Sequence, residues 1–428
     1  MFLIILVYNK VMKIFKNDYL NNSISTLKKW IEIKSVKKRK AGDAPFGKEL
    51  KEMLRLALED AKILGFETYN YDSFIGEATF GSGSDEDGLA ILCHLDVVPE
   101  GDIQKWQVEP YSLTIKDGKL YGRGVLDDKG SAVLCLYALK ELKDSGFTPN
   151  RKIKLIFGCD EESGWSCINH YNKVAVMPKE GFSPDGDFPV IYAEKGILHI
   201  EYEFEKSDAL LSVFGGDRIN MVCDKATVRY LNESAEESLV FLGRTAHGSL
   251  PQNGDNAIKK ALAFLVEKGL FNKESFNLLF NNENLFEDLS DETGKLTFSP
   301  NVISVKNGKI YIKVDCRYPA TKKASEVKKV LRKVGNFKVI SHKKPLYNDK
   351  ESKIVKTLLK TYNEFMGSSE SPIAIGGGTY ARALENGVAF GPSKIGESVC
   401  HNPNEYMTLE TYEKCYQIYK KAIMDLCK

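Results

Sequence analysis

From Lys48 to Leu64 the apolar residues Leu50, Met53, Leu54, Ala57, Ala61 and Leu64 recur at helical spacing and stop at Gly65, which predicts an amphipathic helix closed by a glycine. Leu89 to Cys93 is an unbroken apolar run, as expected of a strand buried on both faces. Ser131 to Leu142 reads as a helix and Lys152 to Phe157 as a second strand, so this part of the chain alternates as a helix-covered sheet does. After Gly196 the period changes. Ile197 to Phe204 and Ile310 to Cys316 place apolar residues at every second position, with helical stretches from Asn256 to Lys268 and Ala324 to Val334 between and after them. That pattern predicts a smaller α+β domain with one solvated sheet face. Helix and loop patterns return from about Pro345 and end in a helix from Leu409 to about Leu426.

Composition narrows the function classes. The 428 residues carry 60 Lys+Arg against 58 Asp+Glu, a net charge of +2, so global charge does not steer the chain onto nucleic acid or anionic lipid. The cluster Lys37-Lys38-Arg39-Lys40 reads as a solvated loop. No apolar run approaches the ~18 residues that span a bilayer. Phe2 to Tyr8 is too short, and lacks the preceding basic residues, for a signal peptide; the expectation is that Met12, which opens an ordinary amphipathic segment, is the true start. Nine scattered cysteines without a CxxC pair suggest buried thiols in a reducing, cytoplasmic compartment.

Five polar clusters interrupt the hydrophobic pattern. Cys93-His94-Leu95-Asp96 stands where a buried strand runs out, and in an extended chain His94 and Asp96 share a face. Gly122 to Gly130 presents Asp127 and Asp128 just before a helix, more acid than an N-cap needs. Asp160-Glu161-Glu162 follows the second strand at the edge where open α/β sheets bind ligands. Ser183-Pro184-Asp185-Gly186 and His401-Asn402-Pro403-Asn404-Glu405 complete the set. Histidine and carboxylates without cysteine suit zinc, manganese or cobalt in a reactive site better than a structural thiolate zinc. Cys93 and Cys400 each adjoin a histidine, but adjacent residues of an extended chain face opposite ways, so both are expected to pack rather than ligate.

The order of these clusters resembles the M20 family of co-catalytic metallopeptidases, and most closely its dipeptidase branch. HLDVVPEG, GRGVLDDKG, DEESGW, SPDGDFPVIYAEKG, HGSLPQNGDNA, DCRYP, GGGTYAR and HNPNEY all occur in the family's order, over nearly the whole chain from about Trp30.

The resemblance implies two divalent metal ions, zinc foremost with manganese or cobalt as alternatives. Asp127 would bridge them, His94 and Asp185 would complete one ion's protein ligands, and Glu162 and His401 the other's. Glu161 matches the general base that activates a hydroxide bridging the ions, with Asp160 as its competitor; Asp96 would orient His94. His247 matches an oxyanion-stabilising histidine, and Asn220, Arg317, Gly377, Gly378 and Thr379 match substrate-binding positions, Arg317 as reader of a terminal carboxylate. The family also tends to a cis peptide after the bridging aspartate, here Asp127-Asp128. His170, His199 and His342 match no ligand motif.

The implied fold is an α/β metal-binding catalytic domain with a mixed sheet flanked by helices, residues 1–195 and 343–428, interrupted by an α+β lid domain of residues 196–342 with the site in the cleft. The implied activity is hydrolysis of dipeptides with a free N-terminus, a small peptide being the only partner, with neither nucleic acid nor membrane; monomer and homodimer both stay open. The nearest rival is M20 deacylation of N-acyl or N-succinyl amino acids on the same metal cluster. A noncatalytic metal or peptide binder is the rival from another class, and a Glu161 kept beside five ligands speaks against it.

Overall fold

The computed structural model describes residues 13–233, 235–394 and 399–428. The Phe2 to Tyr8 run and Met12 lie outside them. The chain divides into two compact units, one of Met1–Tyr192, Asn348–Ile373 and Thr379–Lys428, the other of Ala193–Tyr347 with Ala374–Gly378.

In the first unit the sheet runs in the order Glu67–Tyr71, Ile75–Phe80, Ile153–Gly158, Leu89–His94, Glu180–Ser183, Asn386–Ala389 and Ile191–Glu194. Leu89–His94 is parallel to both of its neighbours, Ile153–Gly158 and Glu180–Ser183. Every residue of Leu89–His94 and of Ile153–Gly158 is buried, which is why these segments read as continuous apolar runs rather than alternations. Because the three strands are parallel, their C-terminal ends open on one edge, and the segments after them carry the acidic clusters.

Helices cover this sheet. Lys48–Ile63 buries Leu50, Met53, Leu54, Ala57 and Ala61, and ends before Gly65, whose φ of 87° is open to glycine at little cost. Lys129–Asp144 begins two residues earlier than the apolar pattern indicates, because Lys129 and Gly130 are themselves buried within its first turn. It packs against both Asp18–Ile31 and Leu409–Leu426. Two of these helices are tied by a buried acid: Asp60 accepts from the Trp30 indole at 2.9 Å and from Lys29 at 2.7 Å.

The second unit holds a seven-stranded antiparallel sheet, ordered Ala235–Leu242, Lys225–Asn232, Leu210–Gly215, Thr297–Lys306, Lys309–Tyr318, Gly196–Glu205, Phe337–Lys343. One face buries Leu198, Ile200, Tyr202, Ile312 and Val314 against Ile258, Leu262 and Leu265 of the Ala257–Glu267 helix and Val327 and Leu331 of Ala324–Leu331. Residues on the other face, such as Glu201 and Glu203, are partly or fully exposed, so the alternation in the sequence is the alternation of a half-solvated sheet.

Candidate metal centre

The parallel strand ends place His94, the 160–162 segment and Asp185 at one edge of the first unit's sheet, and two loops bring Asp127 and His401 to the same point. Asp127 sits between the histidines: its Oδ1 lies 2.8 Å from His94 Nε2 and its Oδ2 2.9 Å from His401 Nε2. His401 Nε2 is also 3.1 Å from Glu162 Oε1, and His94 Nε2 is 3.6 Å from Asp185 Oδ2. All five residues implied as ligands therefore meet in one place. The Asp127–Asp128 peptide is cis.

The donors fit divalent cations. His94 is fully buried, and its Nε2 and Asp127 Oδ1, though 2.8 Å apart, meet hydrogen-bond geometry neither with each other nor with any other described residue, as expected of donors directed at a shared cation. Burial works against a charged imidazole at His94, yet Asp127 and Asp185 raise its pKa well above the usual value. His401, whose side chain is half exposed, is likewise pushed up to about 12 by Asp127 and Glu162, against its partial desolvation. Burial and the charge of Asp127 push Glu162 up to about 7. Burial also works against the charge on Asp127, but the two imidazoles hold its pKa below the ordinary carboxylate value. Clustered carboxylates thus draw positive charge into the centre, as protons on the histidines or as metal ions.

The loops are held by buried acids. His94 Nδ1 is paired with the backbone carbonyl of Asp96 at 2.9 Å, while the Asp96 carboxylate stands 3.6 Å from that nitrogen. The carboxylate instead accepts the backbone N–H groups of Glu161 and Glu162, at 3.1 and 3.0 Å. So Asp96 acts on the acidic segment, and its main chain orients the histidine. Asp160 is occupied: it accepts from Lys37 at 2.6 Å, Ser163 Oγ at 2.8 Å, the Ser166 N–H at 2.9 Å and the Ser166 hydroxyl. The Lys37–Lys40 segment is the exposed coil expected, and from it Lys37 reaches the buried Asp160. Glu161 lies within ligand reach of His94 and Asp185 and accepts from the Trp165 indole at 3.2 Å.

Cys93 is buried, but Cys400 comes within ligand reach of Asp127 and His401. The argument from an extended chain fails there because His401 has φ of 62°, a left-handed turn. The histidines that match no motif have local partners: His170 pairs with Asp72 at 2.9 Å, His342 with the Tyr318 hydroxyl at 2.7 Å and His199 with Ser341 at 3.0 Å.

The remaining implied residues are divided between the two units. In the second unit Arg317 Nη2 is 3.4 Å from His247 Nε2, Arg317 Nη1 donates to the Gly376 carbonyl at 3.3 Å, and the Asn220 carbonyl accepts the Gly248 N–H at 2.8 Å. Gly377 and Gly378 follow in the same unit. Arg317 also donates from Nε and Nη2 to the fully buried Asp315 at 3.2 Å each. Thr379 belongs to the first unit, where its hydroxyl accepts the Ala381 N–H at 3.3 Å and caps a short turn. Sequence reasoning missed Asp315, Trp165 and Glu405. Each lies inside a quoted motif, and Asp315 stands two residues from Arg317 on one strand face, which is the signal that was available.

Comparison with known proteins agrees with this geometry. The chain matches the description "Peptidase family M20/M25/M40" over residues 90–425. It is 34% identical to a Bacillus subtilis (strain 168) protein named "Putative dipeptidase YtjP", covering 90% of this chain and 92% of that one. It is 33% identical to a Staphylococcus epidermidis protein named "Putative dipeptidase", covering 96% and 98%. Human carnosine dipeptidase 1 shares the fold with a TM-score of 0.62 at 17% identity, covering 96% of each chain. With most of its length matched and its carboxylate and imidazole donors gathered at one sheet edge, the chain belongs to the M20/M25/M40 family of metallopeptidases.

Proposed function

We propose that the protein is a dipeptidase that hydrolyses the peptide bond of dipeptides with a free N-terminus. The observation that carries this reading is Asp127 with one carboxylate oxygen against each histidine, the arrangement of a ligand shared by two ions. One ion would be held by His94, Asp185 and Asp127, the other by Glu162, His401 and Asp127, zinc fitting the donors best and manganese or cobalt also suiting them. Ions held by these residues would supply Lewis acidity toward a carbonyl and lower the pKa of a water towards neutral.

The protein's own groups supply the rest. Glu161 takes a proton from the attacking water on its carboxylate and delivers it to the leaving amine, while the Trp165 N–H holds one of its oxygens in place. His247 serves as the donor to the carbonyl oxygen as negative charge develops there. Arg317 reads the terminal carboxylate, with the Gly376 carbonyl beside it. The dipeptidase names of the relatives favour peptides over the N-acyl amino acids of the alternative deacylase reading. A cytoplasmic location accords with the cysteines, none of which is joined in a disulfide; among the described residues no helix is long and apolar enough to cross a membrane.

The test is to strip the protein of metal, reload it with zinc, manganese or cobalt, and assay dipeptides, tripeptides and N-acyl amino acids. Cleavage of dipeptides above the other two classes, at two ions per chain, is the expected result. Faster release from N-acyl amino acids would replace this reading with deacylation.

A further inference from the structure

Glu405 closes the HNPNEY segment and takes no part in the chemistry above, yet it is fully buried. Its Oε1 accepts three backbone N–H groups, from Gly124 at 3.0 Å, Leu126 at 2.8 Å and Asp127 at 3.2 Å. Its Oε2 pairs with Arg123 Nη1 at 2.6 Å, and its own carbonyl accepts the Gly122 N–H at 3.2 Å. Arg123 is in turn held by the Pro99 carbonyl at 3.3 Å and by the Trp106 ring, 5.3 Å away. The preceding Asn404, at φ 63°, accepts from the Gln107 N–H at 2.6 Å and donates to the Lys105 carbonyl at 2.7 Å. One side chain therefore joins the loop that carries Asp127 to the loop that carries His401.

A buried carboxylate is destabilising unless its oxygens are fully engaged. Here the engagement is directional. Amides from residues 124, 126 and 127 converge on a single oxygen only when the loop takes one shape, and one of those amides belongs to the shared ligand itself. The ring of contacts sets where the Asp127 main chain stands relative to His401, four residues before Glu405.

We propose that Glu405 is a positioning residue: by gathering the 124–127 amides on one oxygen it fixes Asp127 between His94 and His401, and so sets the affinity of the metal pair. This rests on the proposed reading of Asp127 as the ligand shared by two ions.

Position and charge are separable by substitution. Glu405→Asp keeps the charge but withdraws the carboxylate by one methylene, while Glu405→Gln keeps the reach and an accepting oxygen but loses the ion pair with Arg123. Zinc affinities measured by chelator competition, with kcat and KM on a dipeptide, should show Glu405→Asp weakened ~10–100-fold for the weaker ion, with kcat lowered comparably and KM within about threefold. Glu405→Gln should melt at lower temperature yet keep both affinities within about threefold, because the amide clamp survives. Asp60→Asn, which breaks a buried acid between two helices, is the control for simple destabilisation and should lower the melting temperature alone.

Wild-type affinities in Glu405→Asp, or an equal loss in Glu405→Gln, would overturn the assignment. If Glu405→Asp does not fold, Glu405→Gln decides by itself, a loss beyond about tenfold counting against the clamp. Wild-type protein that binds fewer than two ions or leaves dipeptides intact would fail the reading of the centre instead, with the variants unaffected as evidence on Glu405.

Discussion

Neighbouring acids in one segment have opposite fates, and the difference is what each can still do. Asp160 has its oxygens filled by Lys37, Ser163 and Ser166, whereas Glu161 keeps a carboxylate within ligand reach of His94 and Asp185. Glu161→Gln should retain full metal content and lose about 10²–10⁴-fold in kcat, read by elemental analysis alongside dipeptide turnover. Asp160→Asn should do the reverse, costing about 1–3 kcal/mol in urea unfolding through its orphaned donors while metal content stays intact. Arg317→Ala should weaken dipeptides strongly and a C-terminally amidated analogue hardly at all; equal losses on both would assign Arg317 to holding His247, which it approaches at 3.4 Å, rather than to reading a carboxylate.

At the scale of elements, the site follows from strand direction. Three parallel strands end together, so segments far apart in the chain deliver His94, Glu162 and Asp185 to one edge without long side-chain reach. Close packing beneath that edge is specific. A Cβ on Gly158 would stand 2.0 Å from the Tyr380 hydroxyl, and Tyr380 packs edge-on against both His94 and Trp165. Gly158→Ala should therefore destabilise the fold by ~1–3 kcal/mol and loosen metal binding with it, measured by thermal melting with and without zinc. The elements themselves were legible because amphipathic helices carry a 3.6-residue period and strands buried on both faces an unbroken apolar run bounded by polar loops. The anchors were not: Glu405 and Asp96 act on backbone amides hundreds or tens of residues away, and a main-chain N–H leaves no mark in a sequence.

At the scale of the whole molecule, metal and protons compete for one charge-rich centre. Asp127 and Glu162 push His401 up to about 12, so a metal ion that took His401 as a ligand, as proposed, would have to displace a proton. Zinc binding should release protons, seen as a buffer-dependent heat in calorimetry, and its apparent affinity should strengthen as pH rises from 6 towards 8. Chelation should lower the melting temperature, and added zinc should raise it with concentration, as the proposed centre would bind ions in the folded chain and not in the unfolded one.

The sequence by itself determined the family, the two textures of sheet and the five residues that meet at the centre, since local periodicity and ordered motifs survive in one dimension. Only the tertiary structure decided that Asp160 is consumed as an anchor, that Asp96 grips the acidic segment rather than the His94 ring, that the Arg317 fork faces Asp315, and that a left-handed turn at His401 brings Cys400 to the same centre. Each of these depends on which donors arrive from distant segments and on the sign of one φ angle. Spacing along a chain encodes neither.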